Sequence, residues 1–423
     1  MDLTAIPVHA PRRLIVVGNG MAATRLLEEV SRLAPGRFAI TVFGAEPGGC
    51  YNRILLSPVL AGEKQATDIV THDPGWYAAR GITLHASEAV IEIDRAARQV
   101  RGSKGHVCGY DHLILATGSD PVRLPLPGAD FAGVTGFRDL ADVAAMTRTA
   151  RTGGAAVVVG GGLLGLEAAW GLHRRGMAVT VLHLLPGLME RQLDAEAARL
   201  LARDLNARGI AVRTGAATRA LLGEGGAVSG VALEDGTVLA ARLVVMAVGI
   251  RPRVALARAA ELEIGRGIHV DDGLATSDPA ILAIGECVEH RGQVFGLVAP
   301  AYDMAGVAAA RLAGDARAWF RPEPIGIRLK VTGIDMFSAG DFLGGPGTEC
   351  LAFRDRARGV YRRLMVRENR LVGALLYGDA ADGPYYQQLM TEAAPLGAAR
   401  EALIFGPPPA APAASRTADL MTV

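Results

Sequence analysis

Cysteine is scarce in this sequence: Cys50, Cys108, Cys287 and Cys350 are the only four, and none stands in a C-x-x-C pair. So scattered a set excludes a disulfide framework and supplies neither an iron–sulfur nor a zinc site, and it fits a reducing cytoplasmic setting. An excess of one charge is also lacking, since 44 Lys and Arg stand against 43 Asp and Glu, a formal charge of +1. Nucleic-acid binders and membrane-surface proteins carry a basic excess, so neither partner is expected. The longest apolar runs, such as Leu243 to Ile250, are far too short to cross a bilayer. Met1 to Ala10 shows no basic stretch followed by an apolar core, so no secretory leader is expected.

Glycine and apolar residues are plentiful: 53 glycines in 423 residues, half of which are hydrophobic. That composition suits an α/β protein with buried parallel strands, and the length calls for two or three domains. Ala156-Val-Val-Val-Gly160-Gly-Gly162-Leu-Leu-Gly165-Leu-Glu167 reads as strand, tight turn and helix around G-x-G-x-x-G. In such a motif the first glycine makes the turn, the second lets backbone approach a pyrophosphate, and the third allows close helix–strand packing. The phosphates then meet free N–H groups at a helix N-terminus. Arg13-Leu-Ile-Val-Val-Gly18-Asn-Gly20-Met21-Ala22-Ala23 is a second fingerprint, of the form G-x-G-x-x-A. Thr24 to Leu33 follows with helical spacing, then the strand Phe38 to Phe43, with Glu46 beyond its end where a ribose hydroxyl is held.

Two fingerprints about 140 residues apart suit an enzyme that passes electrons between two dinucleotides. The arrangement resembles the FAD- and NAD(P)H-dependent oxidoreductases with two dinucleotide folds. That superfamily includes glutathione-reductase-like enzymes, rubredoxin and ferredoxin reductases, and the N-terminal part of NAD(P)H-dependent nitrite reductase large subunits. Two more motifs carry the likeness. Leu113-Ile-Leu-Ala116-Thr117-Gly118 resembles the A-T-G turn that leaves the FAD domain, and Ile281-Leu-Ala-Ile-Gly285-Glu286 resembles the strand whose acid meets the ribityl chain. Val244 to Arg253, through Gly249, resembles the return into the FAD domain.

The branch rests on other segments. Tyr51-Asn-Arg53-Ile-Leu-Leu-Ser57 resembles the Y-[DN]-R-x-x-L-S segment of nitrite and ferredoxin reductases, whereas disulfide reductases carry a Cys pair there. Leu185 to Asp194, Gly285 to Gly292, Gly296 to Tyr302 and Leu329 to Asp341 resemble the flavin module of assimilatory nitrite reductase large subunits. The cysteine-bearing segments of those subunits have no counterpart here, which implies an electron-input module whose acceptor is a separate protein.

The resemblance implies an α/β fold with two Rossmann-like dinucleotide-binding domains plus a smaller C-terminal α+β domain. It assigns residues 1–117 and 246–324 to FAD, 118–245 to NAD(P)H and 325–404 to the C-terminal domain, with 405–423 a disordered Pro/Ala-rich tail. FAD is expected on Gly18, Gly20, Met21, Ala22, Ala23, Glu46 and Arg53, on Ala116, Thr117 and Gly118, and on Gly285, Glu286, Leu297 and Val298. The Leu297–Val298 helix start would face the flavin pyrimidine, where N–H groups favour negative charge. NAD(P)H is expected on Gly160, Gly162, Leu163, Leu164, Gly165, Glu167, His183 and Gly249. Glu167 is the candidate catalytic residue beside the nicotinamide, or else a buried helix acid; Arg53 contacts FAD or pairs with an acid.

His183 stands where an acid would select NAD or an Arg the 2′-phosphate of NADP; with no Arg nearby until Arg191, NADH is favoured and NADPH left open. No metal is expected: His290, beside Cys287 and Glu289, lacks a full ligand set. Lys330 receives no role. Cys50 reads as a bystander, the alternative being a Cys-dependent disulfide reductase or NADH oxidase. A non-enzymatic flavin redox sensor, as in proteins resembling apoptosis-inducing factor, is the other class. Arg321-Pro-Glu-Pro324 reads as a boundary. Beyond it, arginines from Arg354 to Arg370 form either a solvated strand face or a docking patch for nitrate or nitrite reductase, ferredoxin or rubredoxin.

Overall fold

The computed structural model describes residues 10–322, 326–331 and 333–407, with backbone alone at 327–331, 398 and 399. Residues 10–184 and 208–322 form one compact unit, and residues 185–207 form a second with those from 326 onward.

The first unit is built twice over on one plan. Its first sheet runs Ile281–Ala283, His112–Leu115, Arg12–Val17, Phe38–Gly44, Thr83–Ala86, all neighbours parallel. Its second runs Val134–Thr135, Leu243–Met246, Ala155–Val159, Ala178–Leu182, Ile210–Arg213, again all parallel. In each the fingerprint strand is central, between the strand that precedes an A-x-G turn and the next strand in sequence. Leu14, Val16, Ile114 and Val158 are fully buried, as strands covered on both faces require. Ser119–Pro121 and Ile250–Pro252 pair antiparallel and carry the chain between the two sheets.

The first fingerprint helix spans Met21–Leu33, three residues longer at its start than the periodicity indicates, and buries Leu26, Leu27 and Val30. The helix Val298–Ala313 packs against it.

The second unit holds an antiparallel sheet in the order Ile327–Val331, Ile334–Gly340, Arg370–Tyr377, Val360–Arg367, Glu349–Asp355. The hairpin of Val360–Arg367 and Arg370–Tyr377 closes through Glu368 and Asn369, both left-handed (φ 49° and 58°), as a two-residue turn between twisted strands demands. Helix Gly383–Glu392 covers this sheet, with Phe337, Leu364, Leu376 and Tyr386 in the core.

Segment 185–207, read from sequence inside 118–245, lies in this second unit. Its acids explain why: Tyr361 Oη donates to Asp194 Oδ2 at 2.7 Å, and Tyr377 Oη to Asp204 Oδ2 at 2.8 Å. Residues 323 and 324 of the expected boundary, and the expected tail from 408 on, lie outside the described residues. Leu403–Phe405 form a short 3-10 turn.

Candidate functional site

Both fingerprints fold alike. Gly18 and Gly160 adopt φ of +109° and +121°, and a Cβ on them would lie 2.1 Å from the Ala116 carbonyl oxygen and 2.2 Å from that of Ala247. Only glycine fits either turn. Gly165 lies against its own turn, where a Cβ would stand 2.1 Å from Gly160 O. Gly20 and Gly162 differ: each caps its helix, Met21–Leu33 or Leu163–Arg174, without a side-chain hydrogen bond, and an added Cβ would meet nothing within 4 Å. The first N–H groups of both helices, at Met21, Ala22, Leu163 and Leu164, are therefore open to an anionic ligand. These features fit two pyrophosphates.

Around the first fingerprint the expected residues converge. A Cβ on Gly285 (φ +81°) would lie 3.1 Å from that of Ala22, and Gly285 N donates to Met304 Sδ at 3.2 Å. This joins the Gly285–Glu286 turn to both the fingerprint helix and the helix opened by Leu297 and Val298. Thr117 Oγ1 donates to Arg253 O at 3.0 Å, and Val122 N to Gly249 O at 2.9 Å, which ties the A-T-G turn to the returning strand.

Glu46 is paired with Arg53 and accepts from Tyr51 Oη at 2.6 Å. Arg53 also donates to Tyr51 Oη at 2.9 Å and to Arg138 O at 3.0 Å. Arg53 is thus paired with an acid. A carboxylate has about four lone-pair sites, so Glu46 keeps acceptor capacity for a ribose. Glu286 is paired with Arg138 and accepts from Ser119 Oγ at 2.7 Å. Arg138, Ser119 and Tyr51 were not singled out from sequence. Tyr51 had a signal in its motif, while Arg138 and Ser119 meet Glu286 only through the fold.

Cys50 is 2% exposed and accepts from Thr24 Oγ1 at 3.4 Å, on the fingerprint helix. Burial pushes its thiol pKa up, so it rests as a thiol and not as a nucleophilic thiolate.

At the second fingerprint, His183 is 9% exposed, and its Nδ1 accepts from Gly161 N at 3.1 Å. The ring thus holds its proton on Nε2. Glu167 accepts from Ser57 Oγ at 2.6 Å. Burial raises the Glu167 pKa, and the Ser57 hydrogen bond pulls it part of the way back. Ser57 lies on helix Leu56–Ala61, which packs on the second fingerprint helix; Arg175 donates to Leu60 O and, at 3.0 Å, to Val59 O. A protonable acid therefore stands at the seam between the two dinucleotide folds.

Other candidates disperse. Cys287 is buried and donates to Ile284 O at 3.2 Å, His290 Nε2 meets Asp272 Oδ1 at 2.8 Å, and Glu289 accepts from Gly267 N at 3.0 Å. The three do not share a centre. Lys330 is a strand residue whose side chain lies outside the described residues. Three of the hairpin arginines are held by acids. Arg362 pairs with Asp379 and Asp382 at 3.0 and 2.8 Å, Arg363 with Asp194 at 3.1 Å, and Arg367 with Asp341 at 3.0 Å. Arg354, Arg356, Arg358 and Arg370 are exposed, Arg354 pairing with Glu196 at 3.2 Å and Arg358 standing 3.8 Å from Asp355. Among the described residues no helix is long and apolar enough to cross a membrane.

The family described as pyridine nucleotide-disulphide oxidoreductase matches residues 12–306, and the rubredoxin NAD+ reductase C-terminal domain matches residues 327–394. The nitrite reductase [NAD(P)H] of Bacillus subtilis (strain 168) is 45% identical over 372 residues, 88% of this chain and 46% of that protein. The assimilatory nitrate reductase electron transfer subunit of the same organism is 42% identical over 371 residues, 88% of this chain and 48% of that protein. The chain thus spans about half the length of these relatives. Among solved structures, the covalent putidaredoxin reductase–putidaredoxin complex superposes with a TM-score of 0.81 at 26% identity, over 92% of this chain and 94% of that one.

Proposed function

Because the chain belongs to the pyridine nucleotide-disulphide oxidoreductase family, we propose that it is an FAD-dependent NAD(P)H oxidoreductase delivering electrons to a separate acceptor in nitrate or nitrite assimilation. The observation that carries this is the pair of uncapped, open helix starts at Gly20 and Gly162 within one compact unit. The likeness to the Bacillus subtilis electron transfer subunit supports the choice of acceptor system.

For this reading the FAD part is 1–117 with 246–324, the nicotinamide part 118–245, whose segment 185–207 packs with the C-terminal unit, and the third part 325–404. Bound FAD supplies a carrier that takes a hydride from NAD(P)H and gives up electrons. The chain's own residues bind and orient. Backbone N–H groups at Met21 and Ala22 hold the first pyrophosphate, and those at Leu163 and Leu164 the second. Glu46, steadied by Arg53 and Tyr51, accepts from the adenosine ribose. Glu286, steadied by Arg138 and Ser119, accepts from the flavin's polyol chain. Glu167, fixed by Ser57, orients the nicotinamide amide. The neutral His183 ring, accepting from Gly161 N, supports NADH, whose ribose carries hydroxyls alone.

The protein works in the cytoplasm, with its cysteines as thiols. A rubredoxin- or ferredoxin-type acceptor is the second reading, favoured by the C-terminal match at 327–394. Docking near Arg354–Arg370 then rests on Arg356 and Arg358.

The test is anaerobic reduction of the purified protein followed by visible absorption. A flavin spectrum bleached at least tenfold faster by NADH than by NADPH, then restored by an assimilatory nitrate or nitrite reductase, is expected. Restoration by rubredoxin alone would select the second reading. No bleaching by either nucleotide would overturn both.

A further inference from the structure

Three side chains with no part in the reading above meet at the edge of the first sheet. His85 lies on the edge strand Thr83–Ala86, Glu88 follows it, and His106 stands between the strands Gln99–Gly102 and Val107–Gly109. One carboxylate oxygen faces both rings: Glu88 Oε2 is 2.8 Å from His106 Nδ1 and 3.6 Å from His85 Nδ1. The three ligand atoms lie within 4.8 Å of one another.

The cluster is held from several sides. Glu88 is 1% exposed, its N–H donates to Gly44 O at 2.7 Å, and its Oε1 accepts from Lys104 N at 3.2 Å. Ser87 takes a left-handed turn (φ 55°) with its N–H on Glu46 O at 3.0 Å, which turns Glu88 inward. Gly102 gives the carboxylate room, since a Cβ there would lie 2.1 Å from Oε1. The His85 ring stacks on Phe43 at 4.7 Å and 16°. His106 is half-exposed, so the cluster opens to solvent on one side.

We propose that His85, Glu88 and His106 bind a divalent cation of the zinc class, with water completing the coordination shell. Two imidazole nitrogens and one carboxylate oxygen form a donor set that suits such an ion, and three protein ligands leave one position open. Binding requires His106 to turn a lone pair at Nδ1 toward the ion and to carry its proton on Nε2. The Lys104 ammonium, donating to Ala86 O at 3.2 Å, opposes the ion, while the Glu88 carboxylate favours it. The site stands apart from the nucleotide reading and does not depend on it. An H-x-x-E whose third ligand comes 18 residues later has no spacing that a sequence reading could single out.

The test uses the full, tag-free chain with its flavin. Zn2+ is titrated by calorimetry, and Co2+ by visible absorption. One Zn2+ per chain is expected, with binding weakened at least tenfold in His106→Ala and the Co2+ absorption lost. His106 is half-exposed, so this variant keeps the fold, which a thermal melt verifies. His85→Asn is the second variant and should weaken binding equally. Unchanged affinity in both variants, or no binding to the native chain, would overturn the site.

Discussion

The Ser57 hydroxyl donates to Glu167 Oε2 at 2.6 Å, and the two residues stand 110 positions apart in sequence. One belongs to a helix that follows the first fingerprint, the other to the helix that opens the second. If this pair orients the nicotinamide, either Glu167→Gln or Ser57→Ala slows flavin reduction by NADH about tenfold, or about 1.4 kcal/mol. Stopped-flow bleaching measures this. A double variant no slower than either single one would mark the two as one positioning unit.

The same acid sets a pH dependence. Burial holds the Glu167 pKa above its ordinary value of 4.5, so the folded chain keeps a proton that the unfolded chain has lost. The folded state then binds more protons, and stability falls as pH rises from near 4.5 through the raised value. Glu167→Gln removes that slope. Urea unfolding from pH 4.5 to pH 8 should show the native chain losing ground to the variant as pH rises. A constant difference would sink the argument.

Glycines at one motif have opposite duties, and substitution separates them. Gly160→Ala forces a Cβ to 2.2 Å from Ala247 O at a φ of +121°, and the same holds for Gly18→Ala against Ala116 O at 2.1 Å. Each should cost more than about 2 kcal/mol in chemical denaturation. Gly162→Ala meets nothing within 4 Å and keeps the fold to within about 1 kcal/mol, yet weakens NADH binding tenfold or more. An unfolded Gly162→Ala protein would contradict the reading of that position as ligand space.

What was legible in the sequence was local. Each fingerprint packs strand, turn and helix into a dozen residues, and the Val360–Tyr377 hairpin carries its own turn at Glu368 and Asn369. What escaped was brought together by topology. Arg138 reaches Glu286 across 148 positions, and Arg363 reaches Asp194 across 169. Spacing carries no signal for such pairs: parallel sheets with crossovers join residues remote in the chain in the first unit, and the return of segment 185–207 to the second unit does so there. Arg363 finds its acid in segment 185–207, far from the hairpin in the chain.

Cys50 gives a plain discrimination between enzyme classes. Its thiol is buried, with its pKa pushed up, and it accepts from Thr24 at 3.4 Å. Cys50→Ser replaces one small hydrogen-bonding group by another and should leave flavin reduction and acceptor turnover within about twofold, a shift of about 0.4 kcal/mol. Loss of turnover with normal flavin content would instead assign the chain to thiol-dependent chemistry.

Charge reversal in the hairpin should divide by burial. Asp194 is 6% exposed at its side chain and holds Arg363 at 3.1 Å, while Arg362, 10% exposed, is paired with Asp379 and Asp382. Removing a partner from a buried pair leaves a desolvated charge and costs about 3–5 kcal/mol. Arg363→Glu and Arg362→Glu are therefore expected to lower the melting temperature and to impair every acceptor through loss of folded protein. Arg356→Glu and Arg358→Glu act at exposed positions, where surface pairs contribute about 0–1 kcal/mol. Their melting temperature should stay unchanged. If the hairpin steers an acidic acceptor, these two variants slow reduction of the protein acceptor, most at low salt, and spare ferricyanide. Equal slowing of both acceptors by Arg356→Glu would move docking elsewhere, because small-molecule reduction needs no protein surface.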